Sequence, residues 1–374
     1  MTLTKLGDLA PGAAVIDDLI ALLRAWAADE TAAPSASPLL ALLEAAQVHG
    51  VTGPVCAALA RAAPGAAALL APAAAAREAE ARAAFATLTA ATAALNAGGI
   101  EPVALKGGAV PALLGAPAPM RAMVDVDLLA PPGRMAEAVR ALAAAGWRTA
   151  TGRVFENVRG AYAHPPLLPP GGEGAPLELH ARCAYERGGV LAGMWERARP
   201  AAVPGLRAPA PEDRLAHLVH QVQAMDRGLA RRVARLRDLL DWRAIVAGRG
   251  PDGWGGTGEG ADVAAVAARF SAAGDGAAFS AFAALAAKVW DEAPPVPVGP
   301  AHRAWADEVL AGMADPAAIL PFVRADQRRL PLTLLRSPAM VGEYLSRLAV
   351  ADYRAGTLAR AGKLLRRAVL RREV

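Results

Sequence analysis

The sequence predicts an α+β fold that is predominantly helical, with a small α/β centre set between two helical flanks. Three observations carry that expectation. Hydrophobic residues make up 54% of the 374, yet aromatics are only 5% and much of the remainder is alanine. Alanine is the best helix former and a poor strand former, so helix is expected wherever nothing else is marked. The texture then changes over one stretch, where short apolar runs alternate with Gly/Pro turns, and helical periodicity returns after Pro211. The expected division is an N-terminal helical region at 1–98, an α/β core at 99–205 and a C-terminal helical region at 206–374.

Residues 14–97 read as helices. Pro38 sits near the start of the run SPLLALLEAAQ, with Ser37 as the expected cap. A longer pattern from about Ala73 to Asn96 stops at Gly98-Gly99. Pro102 to Leu105 is a short apolar run, a buried strand entering the turn Lys106-Gly107-Gly108, and residues 109–115 form a short helix. Met123 to Leu129 reads as a second strand, and residues 134–145 as a helix ended by Gly146. Further strands are expected over 147–164. Tyr162 to Leu168 and Leu177 to Cys183 flank PPGGEG as two arms of a hairpin would. From Pro211 the chain is helical again, with Glu212-Asp213 at a helix start where negative charge is favoured. A Gly-rich loop at 248–260 precedes the last helices, and roughly 340–370 reads as a basic helix.

Forty basic residues against 35 acidic leave a formal charge of +5. That is too small to argue for nucleic acid by itself, which calls for a concentrated basic face, but it suits an anionic substrate such as a nucleotide. Only four of the basic residues are lysine, so Lys106 beside a Gly-Gly pair stands out from an arginine-rich background. Cys56 and Cys183 lie in separate segments and offer neither a metal spacing nor a disulfide framework. The start lacks the pattern of a signal peptide, and the alanine-rich stretch at 57–76 is broken by Arg61, Pro64 and Pro72. A cytoplasmic protein is the expectation.

The sharpest feature is VDVDLL at 124–129. Side chains alternate on a strand, so Asp125 and Asp127 share one face while Val124, Val126 and Leu128 take the other. Their Cα atoms would lie about 6.5–7 Å apart, and two such carboxylates can converge on one hard cation. Mg²⁺ takes one or two carboxylates and completes its shell with water and substrate phosphates. The competing reading is a wet edge strand, although aspartate is depleted in strands. Upstream, Lys106, Gly107 and Gly108 between a strand and a helix make an anion site, although the P-loop spacing is absent. Arg121, four residues before Asp125, can clamp a triphosphate oxygen in fork geometry. Glu178 in PLELHARC is the candidate third acid, either an extra metal ligand or the base for an acceptor hydroxyl. His180 and Arg182 follow on its face as accessory candidates.

These segments together resemble the uncharacterised nucleotidyltransferase family of the polymerase-β-like superfamily, and are also similar to nucleotidyltransferases of abortive-infection toxin systems. The resemblance rests on VALKGGAVPALLG, PMRAMVDVDLLA, LELHARC, PEDRLAHLVHQ and LRDLLDW, with LLEAAQVHGVTGPV as a helical lead-in, and covers about residues 38–243. It implies a mixed-sheet nucleotidyltransferase core in which Lys106, Gly107 and Gly108 bind nucleotide phosphates with help from Arg121. It implies Asp125, Asp127 and Glu178 as metal ligands and catalytic acids. Three departures stand out: Gly107-Gly108 replaces the wider superfamily's Gly-Ser, the Gly108-to-Asp125 spacing is longer than in the smallest members, and Glu178 stands where Asp is commoner.

The expected reaction is Mg²⁺- or Mn²⁺-dependent transfer of an NMP from an NTP, with ATP as the expected donor. The acceptor is a hydroxyl on a peptide or protein, a small metabolite or a sugar. Two other readings stand beside it: a catalytically degenerate protein that binds a partner peptide or protein, and a toxin-like tRNA nucleotidyltransferase. The second would need RNA to be gripped by Arg227, Arg231, Arg232, Arg235 and Arg237, read as one helix with Asp238 and Asp241 as partners, or by the seven basic groups between Arg354 and Arg372. A solvated or packed face is the simpler account of both. His217 and His220, i and i+3 on a helix, are read as packing rather than as a metal pair.

Overall fold

The structure is a computed structural model that describes residues 13–314, apart from 34, 150–162, 184–188, 249–253 and 255–257. Four helices lead the chain: α1 (Ala13–Ala27), α2 (Leu39–His49), α3 (Thr52–Ala62) and the 31-residue α4 (Ala67–Ala97). Gly50 ends α2 in the left-handed conformation that glycine adopts freely. Ser37 does not cap that helix. Its hydroxyl instead donates to Asp18 Oδ2 at 2.6 Å, and Pro38 holds the cap position.

The centre follows as β1 (Val103–Ala104), a 3₁₀ turn at Lys106–Gly108, α5 (Ala109–Leu114), β2 (Val126–Leu129) and α6 (Met135–Ala144). It continues as β3 (Arg148–Thr149), β4 (Leu167–Leu168), β5 (Leu177–His180), α7 (Met194–Arg197), β6 (Arg199–Pro200) and β7 (Arg207–Ala208). The strands form one mixed seven-stranded sheet in the order β3-β4-β5-β2-β1-β7-β6. The hairpin expected around PPGGEG is present, with Leu167 opposite Leu177 and Ala163 bridging to His180. Tyr162 and most of 147–164 lie outside the described residues. β2 is shorter than the sequence suggested. It begins at Val126, so Val124 does not join Val126 and Leu128 in the core but is 77% exposed.

The C-terminal part comprises α8 (Pro211–His220), which runs into a π-turn at Gln221–Met225, then α9 (Gly228–Arg231), α10 (Leu236–Ala247), α11 (Val263–Ala272), α12 (Gly276–Trp290) and α13 (Pro300–Gly312). The arginines at 227–237 do not lie on one helix. Arg227 and Arg232 take left-handed φ of 62° and 57° and bracket the four-residue α9. At the break the chain folds back so closely that a Cβ on Gly228 would meet Val222 O at 2.6 Å, an approach that only glycine permits. The basic segment at 340–370 and most of the 248–260 loop fall outside the described residues.

Two cores meet at the sheet. On one face, Val126, Leu128, Leu177 and Leu179 pack with Ala104 against α4 (Leu88, Leu95) and α6 (Val139, Leu142). The other face contributes Val103, Leu105 and Leu129 to a larger core shared by α1–α3 and α8–α13. Strand alternation makes this division, and it puts Asp127 on the side of the larger helical body. No helix of the described residues is long and apolar enough to cross a membrane.

Candidate active site

The site begins with strand register. β2 and β5 are parallel, with Asp127 directly opposite Glu178. Residues 51 apart in sequence thereby stand side by side on one face. Lys106 comes from the turn after β1, whose backbone is tied to β2 by the bond from Leu105 N to Asp127 O at 2.9 Å. Its φ of 47° is left-handed, a conformation that costs a non-glycine residue about 1–2 kcal/mol. That strain aims the ammonium at Asp127, with Nζ 2.7 Å from Oδ1.

His180 reaches the same oxygen from behind, its Nε2 at 2.7 Å from Asp127 Oδ1. Burial alone would raise the Asp127 carboxyl, but the His180 hydrogen bond and the Lys106 charge hold it at about 2. An ionised acceptor at that distance means that Nε2 carries the proton. For Lys106, the Asp127 charge outweighs burial and holds the ammonium above its ordinary value. Asp125 behaves in the opposite way. Burial, then the negative charges of Asp127 and Glu178, push it up to about 6.

Ligating atoms of Asp127, Glu178 and His180 all lie within 4.8 Å of one another. Asp125 falls outside that group, although it feels the same charges. The donor set fits a divalent cation: carboxylates crowded closely enough to oppose ionisation are relieved by positive charge. For Mg²⁺, which prefers oxygen, the carboxylates suit as ligands and His180 suits the role of holding Asp127 in place. Arg182 is exposed beyond the end of β5 and does not line the cleft.

Asp125 and Asp127 open onto a cleft of about 260 Å³, and Glu178 stands beside Asp127 outside its lining. One wall is the Lys106-Gly107 turn with Asp125 and Asp127. Facing them are one side of α8 and the π-turn (Arg214, His217, Gln221) and one side of α10 (Arg237, Asp241, Ile245), each spaced at three or four residues as a helical face requires. Arg121 lines the cleft as well, but its fork is closed on Asp241, with Nε–Oδ1 at 3.1 Å and Nη2–Oδ2 at 2.7 Å. Trp254 Nε1 donates to the same carboxylate at 3.0 Å. This pair explains Gly107, where a Cβ would stand 2.1 Å from Arg121 Nη1. Gly108 is under no such pressure, since its nearest neighbour would be Asp127 O at 3.5 Å.

The glycines of the helical lead-in also serve the cleft. A Cβ on Gly53 would strike Met120 Cα at 2.9 Å, so glycine lets α3 close on the segment that carries Arg121. Over Gly50 lies the aliphatic stem of Arg237, whose Cδ would be 3.3 Å from an added Cβ. Sequence reasoning missed Arg214. The available signal was its place on the helical face that also holds His217 and Gln221.

A family model described as an uncharacterised nucleotidyltransferase matches residues 37–274, from the start of α2 through α11. No curated protein and no solved structure matches the chain.

Proposed function

The chain belongs to the uncharacterised nucleotidyltransferase family, and from that premise we propose that it moves a nucleoside monophosphate from an NTP to an acceptor hydroxyl. The observation that carries this reading is the pairing of Asp127 with Glu178, with Lys106 on Asp127 and with Asp125 and Asp127 lining one cleft. We assign the three carboxylates to Mg²⁺ or Mn²⁺. When bound, the ion neutralises the triphosphate and eases ionisation of the attacking hydroxyl. Lys106 and the backbone of Gly107 and Gly108 hold the phosphates, and Arg121 supports that turn from its ion pair with Asp241. His180 fixes the orientation of Asp127.

In the reaction, the acceptor oxygen bonds to the α-phosphorus as the bond to the bridging oxygen breaks and pyrophosphate leaves. Glu178 takes the hydroxyl proton. ATP is the donor on this reading, the acceptor is a peptide, metabolite or sugar hydroxyl, and the cytoplasm supplies both nucleotide and metal.

The test is thermal melting of wild type and the Asp125→Ala/Asp127→Ala variant with each of the four NTPs, with and without Mg²⁺. A metal-dependent rise with one NTP, lost in the variant, is the expected result and identifies the donor. If no NTP shifts the wild type, the proposal fails, and a fold retained for binding a partner takes its place.

A further inference from the structure

Five cations and five carboxylates line the cleft, but the cations are not equally well partnered. Lys106 is matched by Asp127, Arg121 by Asp241, and Arg235 by Asp238 through Nε–Oδ2 at 3.1 Å. Two guanidinium groups have no acid within hydrogen-bonding distance among the described residues. Arg214 is only 9% exposed, yet among the described residues its guanidinium makes no hydrogen bond and no ion pair, although it feels the charge of Asp241. Arg237 approaches Asp238 only at 3.6 Å, too long for a hydrogen bond, and its Nε is buried without an acceptor. Burial pulls both guanidiniums down to about 10, the nearby Arg121 charge adds to the effect in each case, and Asp241 offsets only part of it.

A buried cation without hydrogen-bonded acids is costly, so two guanidiniums in that condition on one cleft require an explanation. Their surroundings hold them in place. Arg214 projects from the first turns of α8, and the α8 start is clamped through buried Asp213, which accepts from Arg197 (2.7 and 2.8 Å) and Arg269 (2.9 Å). The Arg237 stem is seated over Gly50, where no side chain intrudes. Guanidinium forks match phosphate oxygens in pairs.

We propose that Arg214 and Arg237 form a polyphosphate subsite, which holds the terminal phosphates of the donor across the cleft from Lys106. The proposal deepens the nucleotidyltransferase reading and rests on it. It assigns to these two arginines the grip that the sequence suggested for Arg121, whose fork is already engaged.

The experiment is titration calorimetry of the full chain with inorganic tripolyphosphate and, separately, with ATP, GTP, CTP and UTP plus Mg²⁺. Wild type is compared with Arg214→Gln, Arg237→Gln and the Arg→Lys form of each. Removing a charge-assisted hydrogen bond to phosphate should lower tripolyphosphate affinity by about tenfold to a hundredfold in each Gln variant, with the Lys variants in between. Without ligand, Arg214→Gln is expected to melt at or above the wild-type temperature, because a buried charge with no ion pair has been removed, whereas Arg237→Gln also takes a partner from Asp238 and is expected to melt lower. If a Gln variant does not fold, weaker binding by its Lys form supports the subsite and unchanged binding overturns it. Gln variants that bind tripolyphosphate as wild type does also overturn it, and NTP binding that still needs Mg²⁺ would leave the transferase reading standing. Arginine-dependent tripolyphosphate binding with no NTP binding keeps the subsite and removes the transferase reading. A wild type that binds neither ligand removes both.

Discussion

Gly107 and Gly108 look equivalent in the sequence and differ in space. An alanine at 107 must displace a guanidinium held by two hydrogen bonds to Asp241. Overpacking of this kind costs about 1–3 kcal/mol, so Gly107→Ala should lower the urea midpoint clearly. Gly108 has a φ of −62° and room for a methyl group, so Gly108→Ala should be neutral or stabilising by about 0.5 kcal/mol. Equal losses at both positions would refute this steric difference. Asp125 gives a pH signature. Its carboxyl, ordinarily near 3.8, is raised to about 6 by burial and the neighbouring carboxylates, so the folded state prefers it protonated. Its stabilising share is complete below about pH 4 and disappears as pH rises through about 6. Metal-free Asp125→Asn should therefore exceed wild type in stability at pH 7 by on the order of 2 kcal/mol. The gap should close near pH 4 in urea titrations, and a constant gap would rule out the charge as its cause.

At the scale of elements, three pieces of chain have to be brought together around the cleft. Parallel pairing of β2 with β5 delivers Glu178 to Asp127, and a slip of one residue would turn it to the opposite face. The loop before β2 is fastened to α10 by Arg121 and Asp241, both almost fully buried. Asp241→Asn keeps the shape and removes the charge, leaving Arg121 uncompensated. Breaking a buried pair in this way costs about 3–5 kcal/mol. The double replacement Arg121→Met/Asp241→Leu should recover a large part of that loss. A double-mutant cycle from urea unfolding reads the coupling, and strict additivity would show that the fork contributes nothing.

Across the whole molecule, N-terminal and C-terminal helices share one core. Trp26 of α1 meets Trp254 edge-on at 5.9 Å, and Arg24 donates to the carbonyls of Val289 and Lys288 at the end of α12. His49 is a further tie. Its Nε2 lies 3.2 Å from Met313 O, and its Nδ1 accepts from Leu236 N at 3.3 Å. Burial lowers the imidazole from its ordinary 6.5 to about 4, so the folded protein keeps it neutral. Stability from this group is complete above pH 6.5 and falls as pH drops towards 4. His49→Gln should lose that acid-side slope, which is on the order of 3 kcal/mol across the window. The slope opposes that of Asp125 between pH 4 and 6, so each has to be read as a difference from wild type. A variant that keeps the full slope would place the titration elsewhere.

The sequence by itself determined what local chemistry can determine. Alanine-rich periodicity marked the helices, Gly98-Gly99 and Gly146 marked ends, and alternation around PPGGEG marked a hairpin that the structure contains. The order Lys106, Asp125, Asp127, Glu178 was legible because each residue lies at or beside a short apolar strand or its turn. Tertiary structure alone decided the rest, because it depends on which distant segments meet. Nothing local to Arg121 reveals that Asp241, 120 residues away, closes its fork. Nothing local to Arg214 reveals that its helix faces the cleft, or that Asp241 there is already engaged by Arg121. The arginines at 227–237 fit one helix by spacing, and the folded chain instead breaks there, with Gly228 close against Val222 and Val233. Pairing and burial of charge arise from the packed whole, so the partners of a cation and the space above a glycine are settled only when the chain has folded.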